Sequence, residues 1–320
     1  MLTRKLGRSN IQVSAMGLGC WAIGGPFTNE HGKPVGWGQV NDGDSVRAIH
    51  RALDLGITFF DTADVYGCGH SERVLSQALA GKRDRVVLAT KFGRVFDEQT
   101  RLVLGNDASP EHIRRACEAS LRRLRTDHID LYQFHLGSYD PAPAAEVRDT
   151  LEALVAEGRI RWYDWSTDDP HRARVFAQGA HCAAVQHRLN LFEDNPKMLE
   201  LCDEFDLASI NRGPLAMGLL TGKFSAESQL PQDDVRREWN LREGKLAQDL
   251  AKLQALRAVL TQDGRTLAQA ALGWLWAHSR RTIPIPGCKT VQQVEENAGA
   301  LRFGPLSDEQ MKQVNDLLAG

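Results

Sequence analysis

The chain has 320 residues, 42% hydrophobic and 25% charged, and its 39 basic and 41 acidic side chains leave a net charge of −2. That balance suits a folded protein; it excludes a largely disordered chain and argues against nucleic acid as the main partner, while leaving room for a local basic patch that holds a small anion. The six cysteines, Cys20, Cys68, Cys117, Cys182, Cys202 and Cys288, form no CxxC pair. Free thiols in a reducing compartment fit this pattern better than disulfides or structural zinc. The opening residues lack an apolar core of signal-peptide length, and no run reaches the roughly 18 apolar residues that cross a bilayer. A cytoplasmic protein with no membrane partner is expected.

Residues 4–13 predict a small hairpin. Short apolar strands are then expected at 14–20, 58–61, 85–91, 128–135, 160–166, 183–186, 207–211 and 282–286. Helical patterns lie between them, at about 43–55, 70–80, 110–124, 143–157, 170–178, 195–205, 266–278 and 290–298. Ser109-Pro110 and Asp169-Pro170 each place a polar cap before a proline, a helix-start signal. Two further helices, about 241–261 and 307–318, fall outside the repeat, and 222–240 reads as the loop most apt to move. Eight strands alternating with helices predict an α/β fold, a (β/α)8 barrel with the hairpin capping its bottom, formed by one domain over 1–320. Gly17-Leu18-Gly19-Cys20-Trp21-Ala22 matches a loose dinucleotide fingerprint, but the glycines and prolines that follow leave no helix for a pyrophosphate.

Active sites of parallel barrels lie at the C-terminal strand ends. Asp61, Lys91 and His135 occupy three successive ends, and Tyr66 lies in the loop just past the first of them. Adjacent strands are about 5 Å apart, so the four side chains can converge. A buried phenol can donate a proton if a cation lowers its pKa and a carboxylate holds that cation, so this set points to carbonyl reduction. No metal is expected, because His135 has no H-x-H companion. Thr290 and Gln293 read as a capping box opening a helix whose N-terminus suits a phosphate, and Lys289, Gln293 and Asn297 share one face of it.

The segments FFDTADVYG (59–67), ATKFG (89–93) and LYQFH (131–135) resemble the catalytic segments of the aldo-keto reductase family, with the match running from about residue 4 to residue 300. The resemblance implies NADP(H)-dependent reduction of a small-molecule carbonyl. Tyr66 would give the proton, Lys91 would lower the phenol's pKa, Asp61 would hold Lys91, and His135 would position the carbonyl. Ser166, Thr167 and Gln186 would bond the nicotinamide carboxamide. The run Arg212, Gly213, Pro214, Leu215 to Gly218 is similar to the family's pyrophosphate loop, with Arg212 where many members carry a stacking aromatic and Gly213 where serine is usual. Gly287, Lys289, Gln293 and Asn297 would hold the adenosine end and favour NADP(H) over NAD(H). Trp21, Trp37 and Trp239 are the candidate pocket walls, with Phe27, Phe92 and Phe96 beside them; Arg94 and Arg101 leave acidic substrates open. A monomer or weak homo-oligomer is expected.

Asp164 departs from the family pattern, which has glycine there. By strand alternation it points into the barrel with Ser166, so it should be neutral or paired with Lys91 or Arg188. Two other readings compete with the reductase. One is a cofactor-binding regulatory subunit like the potassium-channel β subunits, which share the family resemblance; the other is a metal-dependent barrel hydrolase, which lacks its histidines here.

Overall fold

Runs such as Ile129–Phe134, buried at every position, need cover on both faces, and parallel strands find it by curling around one another inside a layer of helices. The computed structural model describes residues 2–319. Eight strands, β1 Leu18–Gly19, β2 Phe59–Asp61, β3 Val87–Phe92, β4 Ile129–Phe134, β5 Ile160–Ser166, β6 Cys182–Arg188, β7 Ala208–Arg212 and β8 Thr282–Pro284, form one parallel sheet in chain order. The sheet closes: the Gly17 N–H donates to Pro284 O at 2.9 Å and the Gly19 N–H to Pro286 O at 3.0 Å. The result is a (β/α)8 barrel.

The helices are α1 Asp42–Asp54, α2 His70–Ala78, α3 Pro110–Leu124, α4 Ala144–Ala156, α5 Pro170–Ala177, α6 Pro196–Glu204, α7 Gly244–Thr261, α8 Leu267–His278, α9 Val291–Phe303 and α10 Asp308–Ala319. The starts of α3, α5 and α6 share one device, a capping Ser109, Asp169 or Asn195 followed by proline. The extra helices α7 and α10 pack against each other outside the repeat. Between sheet and helices, Phe92, Tyr132, Phe134, Trp165 and Phe176 form a continuous aromatic stack.

Two elements differ from the expectation. The predicted strand 14–20 is two pieces, because Ser14 ends the N-terminal hairpin (Thr3–Lys5 with Gln12–Ser14) and the chain bends before Leu18. A second hairpin, Arg94–Asp97 with Leu102–Asn106, rises from the end of β3 and was not expected. The loop 222–240 is anchored to the loop after β1: Trp37 bridges Asp234, and the Val235 N–H donates to Gly36 O at 2.9 Å.

Inside the barrel the rows separate by polarity. Ala89, Leu131 and Trp162 lie in one row of β3, β4 and β5; Lys91, Gln133 and Asp164 lie in the row above. The lower row joins Leu6, Val13, Phe59, Ala184, Ala208 and Ile283 in an apolar plug closed from below by the N-terminal hairpin. The polar row therefore sits on a dry floor. Above it, the Tyr66 loop is pinned by Gly67, at φ +61°, where an added Cβ would lie 1.9 Å from Gly24 O. Gly67→Ala is expected to cost at least about 2 kcal/mol in urea unfolding, since neither backbone can yield; an unchanged midpoint would contradict this packing.

Candidate active site

Lys91 ends its strand pointing inward with no exposed surface. Its ammonium donates to Asp61 Oδ1 at 2.5 Å and to Thr62 O at 2.7 Å, while Gln186 Nε2 donates to Asp61 Oδ2 at 2.8 Å. Burial works against the ammonium, but the Asp61 carboxylate and the Tyr66 oxygen together outweigh it and hold Lys91 above its ordinary pKa. Burial likewise pushes Asp61 up, against the pull of Lys91 and Gln186. The pair is sealed, charged and turned by a third residue from across the barrel.

Tyr66 covers this pair, with Lys91 Nζ 5.0 Å from its ring centroid. Burial raises the phenol's pKa, Lys91 pulls it back, Asp61 adds to the rise, and the net direction is upward. This departs from the lowered phenol expected beside a lysine: Lys91 does act that way, but burial outweighs it and the Asp61 carboxylate adds to the rise. His135 meets Tyr66 edge to face at 5.9 Å, and its Nδ1 is buried without a partner. Burial, then the neighbouring Lys91, holds its imidazole well below the ordinary pKa. A neutral phenol and a neutral imidazole thus converge above a buried cation, donors facing the place where negative charge on an oxygen would be stabilised.

The groove beside this site gathers backbone donors and cations. Left-handed backbone at Gly213, Ala216, Met217 and Gly218 turns successive N–H groups through the loop after β7. Burial lowers the pKa of both Lys223 and Lys289; Arg236 adds to the fall on each and Lys289 on Lys223, while Asp234 opposes it. Lys223, Lys289 and Arg236 together would suit the phosphates of a dinucleotide, which would supply counter-charge to the two half-buried lysines. Arg236 is bidentate to Asp234, bonds Met217 O at 3.0 Å and lies 4.5 Å over the Trp37 ring, so it buckles the 222–240 segment across the groove. Among the described residues no group of three or more His, Cys, Asp or Glu could hold a metal, and no helix is long and apolar enough to cross a membrane.

The family model for the aldo/keto reductase family matches residues 15–319. The chain belongs to the aldo/keto reductase family. An aldo-keto reductase of Schizosaccharomyces pombe, named for NADP(+), is 32% identical over 98% of this chain and 90% of its own length. Among solved structures, a glycerol dehydrogenase from Gluconobacter oxydans superposes with TM-score 0.85 at 34% identity, covering 99% of this chain and 95% of its own. An aldo/keto reductase from Klebsiella pneumoniae, in complex with NADP and acetate, gives TM-score 0.73 at 29% identity, covering 98% of this chain and 94% of its own.

Several residues expected to serve an aldo/keto reductase site have other partners here. Arg212 does not lie free for stacking; it pairs with Asp168, which also accepts from the Arg188 N–H at 2.7 Å. The Thr167 hydroxyl is taken by Gly137 O at 2.8 Å, and Ser166 reaches Gln186 Oε1 only at 3.4 Å. Asn190 Nδ2 holds Gly213 O at 3.1 Å, the contact that fixes the turn leading through Pro214 and Leu215. Lys289 bonds Trp37 O, and Asn297 is turned inward onto Cys288 Sγ at 3.2 Å. The capping box at Thr290 is only half formed: Thr290 accepts from the Gln293 N–H, but Gln293 Oε1 accepts from Lys289 N. Gly287 faces Gly19 across the barrel seam.

Trp21 stacks on Tyr66 at 6.0 Å and meets Trp37 edge to face at 5.2 Å, so both stand at the mouth. Trp239 packs on Phe224 and under Arg236, on the groove side of that stack and not against Tyr66. Phe92 faces the helices, since residues adjacent in a strand alternate faces and Lys91 points inward. Asp164 pairs with neither Lys91 nor Arg188: Gln133 Nε2 donates to its Oδ2 at 3.0 Å, and Arg188 bonds Glu193. Burial pushes its carboxyl up to about 7. Gln133 was missed as a site residue, although its place two before His135 puts both on one strand face. Asp168 and Arg236 carried no local signal at all.

Proposed function

We propose that the protein is an NADP(H)-dependent carbonyl reductase for small aldehydes or ketones, with Tyr66 as the general acid. One observation carries the reading: a fully buried lysine, bonded to a carboxylate and a backbone carbonyl, lies beneath a phenol at the barrel mouth. The raised phenol stays protonated at neutral pH, the form that can give a proton to an oxygen gaining negative charge. Lys91 stabilises the phenolate left behind, and Asp61, turned by Gln186, keeps Lys91 charged and in place. His135, neutral, donates a hydrogen bond that orients the carbonyl oxygen. NADPH, when bound, supplies the hydride to the carbonyl carbon. Lys223, Arg236 and Lys289 with the loop at Gly213–Gly218 would hold its phosphates; Ser166, Thr167 and Gln186 stand at the strand ends where its carboxamide would be bonded. Trp21 and Trp37 wall the pocket. The NADP in the Klebsiella relative and the NADP(+) in the yeast relative's name support the choice of cofactor.

The test is NADPH oxidation followed by absorbance against aryl, aliphatic and anionic aldehydes and ketones, with NADH run beside it. Turnover is expected with NADPH, at a kcat/KM at least about tenfold above that with NADH, the worth of one modest phosphate contact. Tight NADPH binding with no turnover of any carbonyl would overturn the reading in favour of a cofactor-binding regulatory subunit.

A further inference from the structure

The polar row inside the barrel holds a carboxylate that the proposed chemistry does not use. Asp164 has no exposed surface, and Lys91, Gln133 and Asp164 stand side by side on β3, β4 and β5. The Gln133 amide lies between two carboxylates. It donates to Asp164 Oδ2 at 3.0 Å, and beyond that bond it also favours the ionised form of Asp61, after Lys91 and Gln186. Asp164 Oδ1 and Gln133 Oε1 are buried with no partner. With no protein donor on one oxygen and an apolar floor beneath, ionisation of Asp164 is costly, which favours its protonated form.

We propose that Asp164 is a positioning residue for carbonyl reduction: through Gln133 its carboxyl sets how firmly Asp61 holds Lys91, and its ionisation slows the proton step. The inference rests on the reductase reading above. With Asp164 neutral, the enclosed row holds one negative and one positive charge, Asp61 and Lys91. With Asp164 ionised, the row carries a net negative charge and the Gln133 amide is held to Asp164 more tightly, leaving less of its pull on Asp61. That extra charge binds more of the Lys91 field and opposes the negative charge that builds on the Tyr66 oxygen as its proton leaves. The charged and titratable groups facing Asp164 are few. Asp61 and Lys91 reach it from β2 and β3, β4 offers only the neutral Gln133, and β6 offers the Cys182 thiol, kept un-ionised by burial. The apolar plug below offers none. Its position near neutrality, up at about 7, places the effect within working pH.

The test is the single-turnover rate of NADPH oxidation between about pH 5 and 9, for the wild-type protein, Asp164→Asn and Asp164→Gly. The wild-type rate is expected to fall about three- to tenfold as pH rises through neutrality, and this step should be absent from both variants, whose rates stay flat until Tyr66 itself titrates. Superimposable profiles for wild type and Asp164→Asn would overturn the proposal, because a merely structural role shifts the rate without moving an inflection. A second readout needs no turnover. The component of the carboxylic-acid infrared band that is lost as pH rises through about 7 in the wild type should be missing from Asp164→Asn. Its midpoint should move upward in Lys91→Met, which removes the cation that favours ionisation. A midpoint unmoved by Lys91→Met would break the coupling even if the enzyme reduces carbonyls; absence of carbonyl turnover by the wild-type protein, with the midpoint shifted in Lys91→Met, would instead fault the reductase reading alone.

Discussion

Replacing Tyr66 with phenylalanine is expected to lower the single-turnover rate of carbonyl reduction about a thousandfold while NADPH affinity stays within about twofold. The phenylalanine ring keeps the stack on Trp21 and the edge contact with His135, so the pocket wall survives. Lys91 keeps its bonds to Asp61 and Thr62, so no buried charge is orphaned and stability should change by less than about 1 kcal/mol. Only the proton goes. His135 cannot replace it, because burial beside Lys91 keeps its imidazole neutral and far from the acidic form at working pH. Single-turnover absorbance together with NADPH fluorescence separates the two quantities. A variant retaining more than about a tenth of the wild-type rate would move the acid away from Tyr66.

How much of this was legible follows the range over which each interaction acts. The barrel strands were read from short apolar runs bounded by glycine, proline and capping residues, because that pattern is local. Asp61, Lys91, His135 and Gln186 were read because a strand end fixes where a side chain sits, whatever lies opposite. The hairpin at Arg94–Asp97 and Leu102–Asn106 was not read, since its strands are mostly half-exposed and alternate weakly. The Arg212 ion pair was not legible for a different reason. Its partner Asp168 is 44 residues away, on the loop after β5 with β6 between, and nothing in either segment announces the pair. Gln133 shows the middle case: strand alternation placed it inside the barrel, but its bond to Asp164 depends on the register of β4 against β5, which only the folded sheet settles. The position flagged as foreign to the family, Asp164, was legible as a problem but not as a solution.

That position carries the second large effect. Asp164 has an ordinary pKa of 3.8 and is pushed up to about 7 in the folded chain by burial, with Gln133 and Lys91 opposing. Between those values the folded protein keeps a proton that the unfolded chain releases, so stability falls as pH rises across that window and levels off above it. The difference, about three pH units, corresponds to about 4 kcal/mol. Asp164→Asn keeps the shape and still accepts the Gln133 hydrogen bond but has nothing to ionise. Urea unfolding should therefore give the variant and the wild type similar stability near pH 4, and a variant more stable by up to about 4 kcal/mol near pH 8. Asp64, which burial also raises, titrates in both proteins and cancels in the difference. Parallel stability curves across the window would mean that the folded chain finds Asp164 a donor, or water, that keeps it ionised at little cost. A widening gap would show that this barrel tolerates at its centre a carboxyl that weakens the fold because its site resists ionisation, an arrangement that a role in tuning the Asp61–Lys91 pair would explain.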